Sequence, residues 1–242
     1  MDFPSIVARA RRSTVQIQPP GGPMPASWSV LELERDILGS GFCILDDATV
    51  CTARHVLPEE ERHVGGQVNV GLPIPDMGGT PDPQSRSLFL PWEASCVAES
   101  AEDDLAILHL HGKLPMRAIR NGVEEDARLQ PFAIDDQPVP DGEAIAVSGY
   151  PLAHPAMVTT TGVIASAWAI NPAAPSEVGA RHLADVTAAP GSSGAPCYRA
   201  SDGRLVGVLV GGRTLPGHGG YSGLSVLVPA GRVRNLIAAS GL

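Results

Sequence analysis

The chain predicts an all-β fold, a sandwich or a pair of barrels. Three observations carry that prediction. Apolar runs of strand length recur along the chain, turn formers separate them roughly every eight to twelve residues, and helical spacing appears only at the two ends. Gly (27) and Pro (23) are both abundant, as short strands joined by turns require.

Taken in order, residues 3–12 have helical spacing and TVQIQ (14–18) alternates like a strand. FCIL (42–45) and TVCTA (49–53) flank Asp46 and Asp47 and predict a hairpin. VNVGL (68–72) is a further strand, and the Pro-, Gly- and Asp-rich stretch 73–87 is expected to be a long surface loop. SLFLPWEASCVAES (87–100) and LAILHL (105–110) are strand-like. Residues 112–131 lose the pattern and gain charge, which suits a connection between two halves, 1–120 and 121–242. The second half offers AIAVSGY (144–150), VTTTGVIASAWAI (158–170), HLADVTA (182–188), RLVGVLVGG (204–212) and LSVLVP (224–229) as strands, and GRVRNLIAA (231–239) as a closing helix. No repeat of roughly 20–50 residues is present.

Composition excludes several classes. Hydrophobic residues make up 43% and charged residues 18%, which gives a real, mostly aliphatic core. The net charge of −9 and the lack of a basic stripe argue against a nucleic-acid partner. No apolar run approaches the roughly 18 residues of a membrane span. The first twenty residues lack a signal-peptide pattern, so the expectation is a cytoplasmic protein. Cys43, Cys51, Cys96 and Cys197 then default to reduced thiols, and no C-x-x-C spacing points to zinc. His109 and His111 share a strand face without a third ligand, so neither metal nor cofactor is expected.

The chemistry-bearing stretch is APGSSGAPCY (189–198), two serines between glycines. Such a string is a plain turn unless partners exist elsewhere. A nucleophilic serine needs a base, a carboxylate that orients it, and backbone N–H groups facing the oxyanion. Among seven histidines, His55 follows an apolar strand in VCTARHVL, where a rigid strand end can present its ring. Asp104 opens the apolar run DLAIL; a carboxylate there needs a partner, and Asp103 beside it is the competitor.

TARHVL, DLAIL and GSSGAP occur in that order, and they resemble the three motifs of the chymotrypsin-like serine proteases. GSGF (39–42), TTGVIAS (160–166) and RLVGVLV (204–210) resemble the HtrA-type bacterial branch, without that branch's PDZ domain. The resemblance covers residues 5–240 and implies two six-stranded antiparallel Greek-key barrels, His and Asp on the first and Ser on the second. It implies Ser193 as nucleophile, His55 as base, Asp104 as orienting carboxylate, and the N–H groups of Gly191 and Ser193 as oxyanion hole. It places Thr187 at the base of a specificity pocket walled by Ala188, Val210, Gly211 and Gly212. With no acid there, the pocket suits small or medium apolar side chains of a protein or peptide substrate.

Three residues depart from the family pattern. Ser192 stands where zymogen-activated members carry Asp, Ala195 replaces a second Gly, and Val210 replaces a Ser that supports the Asp. Two alternatives stay open at this point. One is a silent protein of the same fold that binds peptides or proteins. The other is a protease latent until a partner protein activates it.

Overall fold

A computed structural model describes residues 1–21, 37–73, 89–112, 117–120, 123–126, 129–135, 137–153, 157–169, 181–214 and 221–242. Helix α1 (Phe3–Ser13) opens the chain, with the Asp2 carboxylate accepting from the Ser5 N–H at its N-terminus. Six strands follow: β1 (Thr14–Gln18), β2 (Gly39–Cys43), β3 (Thr49–Ala53), β4 (Gln67–Pro73), β5 (Phe89–Ser100) and β6 (Leu105–Leu110). They close antiparallel in the order β1-β2-β3-β6-β5-β4. A small hairpin, β7 (Arg117–Arg120) and β8 (Val123–Asp126), lies in the connection.

The second barrel has β9 (Ala144–Gly149), β10 (Val158–Ala169), β11 (Arg181–Asp185), β12 (Pro196–Arg199), β13 (Leu205–Thr214) and β14 (Tyr221–Pro229). Its order is β10-β11-β14-β13-β12-β9, again antiparallel and closed. Helix α2 (Ala230–Ser240) terminates at Gly241, whose φ of 70° suits glycine. The two six-stranded barrels, flanked by two short helices, are the chymotrypsin-like architecture. Among the described residues no helix is long and apolar enough to cross a membrane.

Packing explains why several strands lack alternation. β3 is buried at all five positions. Val50 points into the interior of the first barrel, with Val15, Val68 and Leu108. Cys51, one residue on, faces a second cluster between the barrels. A strand covered on both faces need not alternate. The inter-barrel cluster joins Phe42 and Ile107 of the first barrel to Tyr198 and Val228 of the second, with Ile6 of α1 and Val233 of α2. Phe132, from the connection, packs edge-on against Phe42 at 5.6 Å and tilted against Tyr198 at 5.7 Å.

The expected hairpin of β2 and β3 is present, with Phe42 opposite Cys51. Three strands go unread in the sequence. β12 is only four residues long and starts at Pro196, directly after the Ser193 turn. β7 and β8 lie where the charge pattern predicted only a connection. Most of the expected loops at 73–87 and 171–181 lies outside the described residues.

Candidate active site

β3 delivers His55. After Ala53 the chain turns into a short 3-10 segment, Arg54–Val56, and the Arg54 N–H donates to the Asp104 carbonyl at 2.9 Å. Asp104 closes the turn between β5 and β6 with φ at 57°, a left-handed conformation that Asp tolerates better than most residues. Its carbonyl thereby meets residue 54 and its carboxylate meets residue 55. The His55 main-chain N–H donates to Oδ1 at 2.9 Å, and Nδ1 lies 2.6 Å from Oδ2. An ionised carboxylate only accepts, so Nδ1 carries the ring proton and Nε2 keeps its lone pair.

Asp103 takes no part in this. Its Oδ1 lies 3.5 Å from Arg181 Nη1 on β11 and 3.6 Å from Arg232 Nε on α2. The two adjacent carboxylates therefore serve different partners, one facing His55 and one facing the second barrel and the closing helix. Val210 is apolar, and among the described residues Asp104's carboxylate receives hydrogen bonds from His55 alone.

The turn carrying Ser193 allows complete accounting of its peptide groups. The Pro190 carbonyl accepts from the Leu152 N–H at 2.5 Å. The Ser192 N–H donates to the Ala189 carbonyl at 2.9 Å, and the Gly191 carbonyl accepts from Ser40 Oγ at 2.8 Å. The Ser192 carbonyl accepts from Ala195, the Ser193 carbonyl from the Ser40 N–H at 2.8 Å, and the Gly194 N–H donates to Leu209. Two groups remain. The N–H of Gly191 and the N–H of Ser193 donate to nothing among the described residues.

The orientation of the first follows from planarity. In a trans peptide the C=O and N–H point opposite ways, so a Pro190 carbonyl held by Leu152 turns the Gly191 N–H to the other side. This requires φ of 91° at Gly191, a Pro-Gly type II turn that only glycine makes without strain. Ala195 is absent from the described residues with positive φ, so its methyl fits the loop.

A cavity of about 300 Å³ is lined among others by His55, Ser192, Ser193, Ala188, Val210, Gly211 and Gly212, while Gly191 and Asp104 are not among its lining residues. Ala189, within the stretch 187–189 expected to line the pocket, also lines it, and so do Leu209 and Pro190, which the sequence does not mark. Thr187 does not line it; that residue is exposed, and its carbonyl accepts from Thr160 Oγ1. Ser193 Oγ takes no hydrogen bond among the described residues, the His55 ring included, an arrangement common before substrate arrives. The same residues contain no cluster of three or more His, Cys, Asp or Glu able to hold a metal ion. All four cysteines are free and buried, away from the cavity lining.

Comparison with known proteins agrees with this architecture. The crystal structure of the Rv3671c protease in an inactive form superposes with a TM-score of 0.63 at 21% identity, over 98% of this chain and 93% of that one. A serine-to-alanine mutant of Rv3671c from M. tuberculosis H37Rv, also inactive, gives 0.61 at 21% identity, over 98% and 90%. Likeness at that identity shows the fold alone. A search of curated proteins returned no significant match. The trypsin-like peptidase domain matches residues 39–208, which is most of the chain. With two closed barrels, a His–Asp pair and a serine turn facing one cavity, this chain belongs to the trypsin-like peptidase domain family.

Proposed function

We propose that the protein is a serine endopeptidase that hydrolyses peptide bonds through an acyl-enzyme. Ser193 is the nucleophile, His55 takes its proton at Nε2, and Asp104 holds the ring and stabilises the imidazolium. The N–H groups of Gly191 and Ser193 receive the oxyanion. The single observation that supports this best is that, of the N–H groups on the turn, those two alone lack an acceptor among the described residues. Gly191 and Ser193 are half-buried, and two N–H groups left open beside the nucleophile can receive a developing oxyanion.

The cavity walls argue for specificity. Ala188, Val210, Gly211 and Gly212 carry no charge, so the residue before the scissile bond is small or medium and apolar. Discrimination is modest, since one methylene changes binding by about 1–3 kcal/mol.

Labelling with a fluorophosphonate probe, wild type beside Ser193→Ala, tests this. Label on the wild type that vanishes in the variant is the expected result. A folded wild type that takes no label would leave the other reading, a silent peptide- or protein-binding member of the family.

A further inference from the structure

We propose that Ser40 is a positioning residue, a brace on β2 that keeps the Gly191 N–H turned away from Leu152, as the proposed oxyanion hole requires. The inference rests on the reading of the Ser193 turn given above. Ser40 is fully buried, and four polar contacts converge on it. Its N–H donates to the Ser193 carbonyl at 2.8 Å. Its carbonyl accepts from Thr52 Oγ1 at 2.7 Å, on the strand that delivers His55. Its hydroxyl accepts from the Tyr150 N–H at 3.0 Å and lies 2.8 Å from the Gly191 carbonyl.

Proton counting fixes the hydroxyl. The Tyr150 N–H can only donate and the Gly191 carbonyl can only accept, so the one hydroxyl proton goes to Gly191. The hydroxyl therefore links the end of β9 to the far side of the turn. Two residues beyond Tyr150, the Leu152 N–H holds the Pro190 carbonyl, the contact that sets the direction of the Gly191 N–H.

The closing bond from Ser192 to Ala189 cannot set that direction alone. Type I and type II turns share it and differ by a flip of the central peptide. The Leu152 contact selects type II, but Leu152 is itself exposed and sits at φ of 57°. Its segment needs an anchor, and two residues back the buried Tyr150 donates its N–H to the Ser40 hydroxyl. In the zymogen-activated members that the sequence resembles, an Asp at position 192 fixes this loop; here Ser192 gives only a long 3.4 Å contact from the Ala189 N–H. The bracing role has passed to the first barrel.

Ser40→Ala removes the hydroxyl and keeps the backbone contacts. Two readouts separate positioning from simple stability. Amide exchange at Ser192 and Leu152 is expected to rise at least about ten-fold, with Ile164, bonded to Glu143 elsewhere in the second barrel, unchanged. On a peptide substrate, kcat is expected to fall about 10-fold or more with KM within two-fold. That loss is below the roughly 10²–10³-fold of removing an oxyanion donor outright. Affinity for a peptide boronate weakens in parallel, while affinity for the product peptide does not.

Unchanged exchange at Ser192 and Leu152 would overturn the proposal whatever the activity, and so would unchanged kcat in a variant whose exchange rises. Should the wild type neither label nor hydrolyse, the protease reading falls, and exchange alone still decides whether Ser40 holds the turn. If Ser40→Ala does not fold, Ser40→Cys, which keeps a weaker donor, is read by the same exchange and kinetics.

Discussion

His55 gives Asp104 both of its N–H protons, the main-chain one to Oδ1 at 2.9 Å and the ring one to Oδ2 at 2.6 Å. One residue thus supplies two donors, and the carboxylate's orientation and the ring's tautomer are set together.

Asp104→Asn breaks that arrangement with little change in shape. The amide's NH₂ faces a ring nitrogen and favours the tautomer with its proton on Nε2, so His55 loses the lone pair that should accept from Ser193. Steady-state kinetics on a peptide ester should show kcat lower by about 10⁴-fold with KM nearly unchanged. A loss below ten-fold would mean that the pair does not serve the reaction.

Gly211→Val should narrow the cavity without disturbing the fold. A Cβ at Gly211 meets nothing within 4 Å, and the residue lines the cavity. Profiling against a peptide library should show cleavage after Leu-sized residues reduced at least about 10-fold relative to Ala, with the melting temperature unchanged. An unaltered profile would place the specificity pocket elsewhere.

Acid stability should depend on Asp135. Burial pushes its carboxyl up, but the Arg199 guanidinium and the Gln137 N–H outweigh burial and hold it below its ordinary value. A depressed carboxylate stabilises the fold above its unfolded value, near 3.9, and that contribution is lost as pH falls through the lower folded value. Denaturant midpoints should therefore drop below about pH 4, and Asp135→Asn should flatten that limb. The variant should also cost on the order of 3 kcal/mol at neutral pH, because Arg199 loses one of its two carboxylate partners. Parallel pH limbs in the two proteins would refute this.

The thiols should be inert in the native state. Burial pushes Cys96 up to about 11 and Cys43, Cys51 and Cys197 higher still. Only the thiolate alkylates, so iodoacetamide at about pH 7.5 should modify none of the four in the folded chain and all four in guanidinium, as read by mass spectrometry. Rapid native labelling would show a thiol exposed by an opening of the barrels.

The sequence by itself determined the fold class, the order of the three motifs and most strand positions, because apolar runs and turn formers are local signals. It also marked Ser193 and His55 as candidates, each by its immediate neighbours. What it left to the tertiary structure is non-local. Choosing Asp104 by contact over Asp103 took a φ of 57° at the turn and the positions of Arg181 and Arg232 on the second barrel and the closing helix. Thr187 sits near the serine in sequence, yet its exposed side chain stays off the cavity lining that Leu209 joins from across the sheet. Ser40 lies 110 residues from Tyr150 and 151 from Gly191. Only barrel closure and the packing of one barrel on the other bring those groups within a hydrogen bond, and no pattern along the chain records that distance.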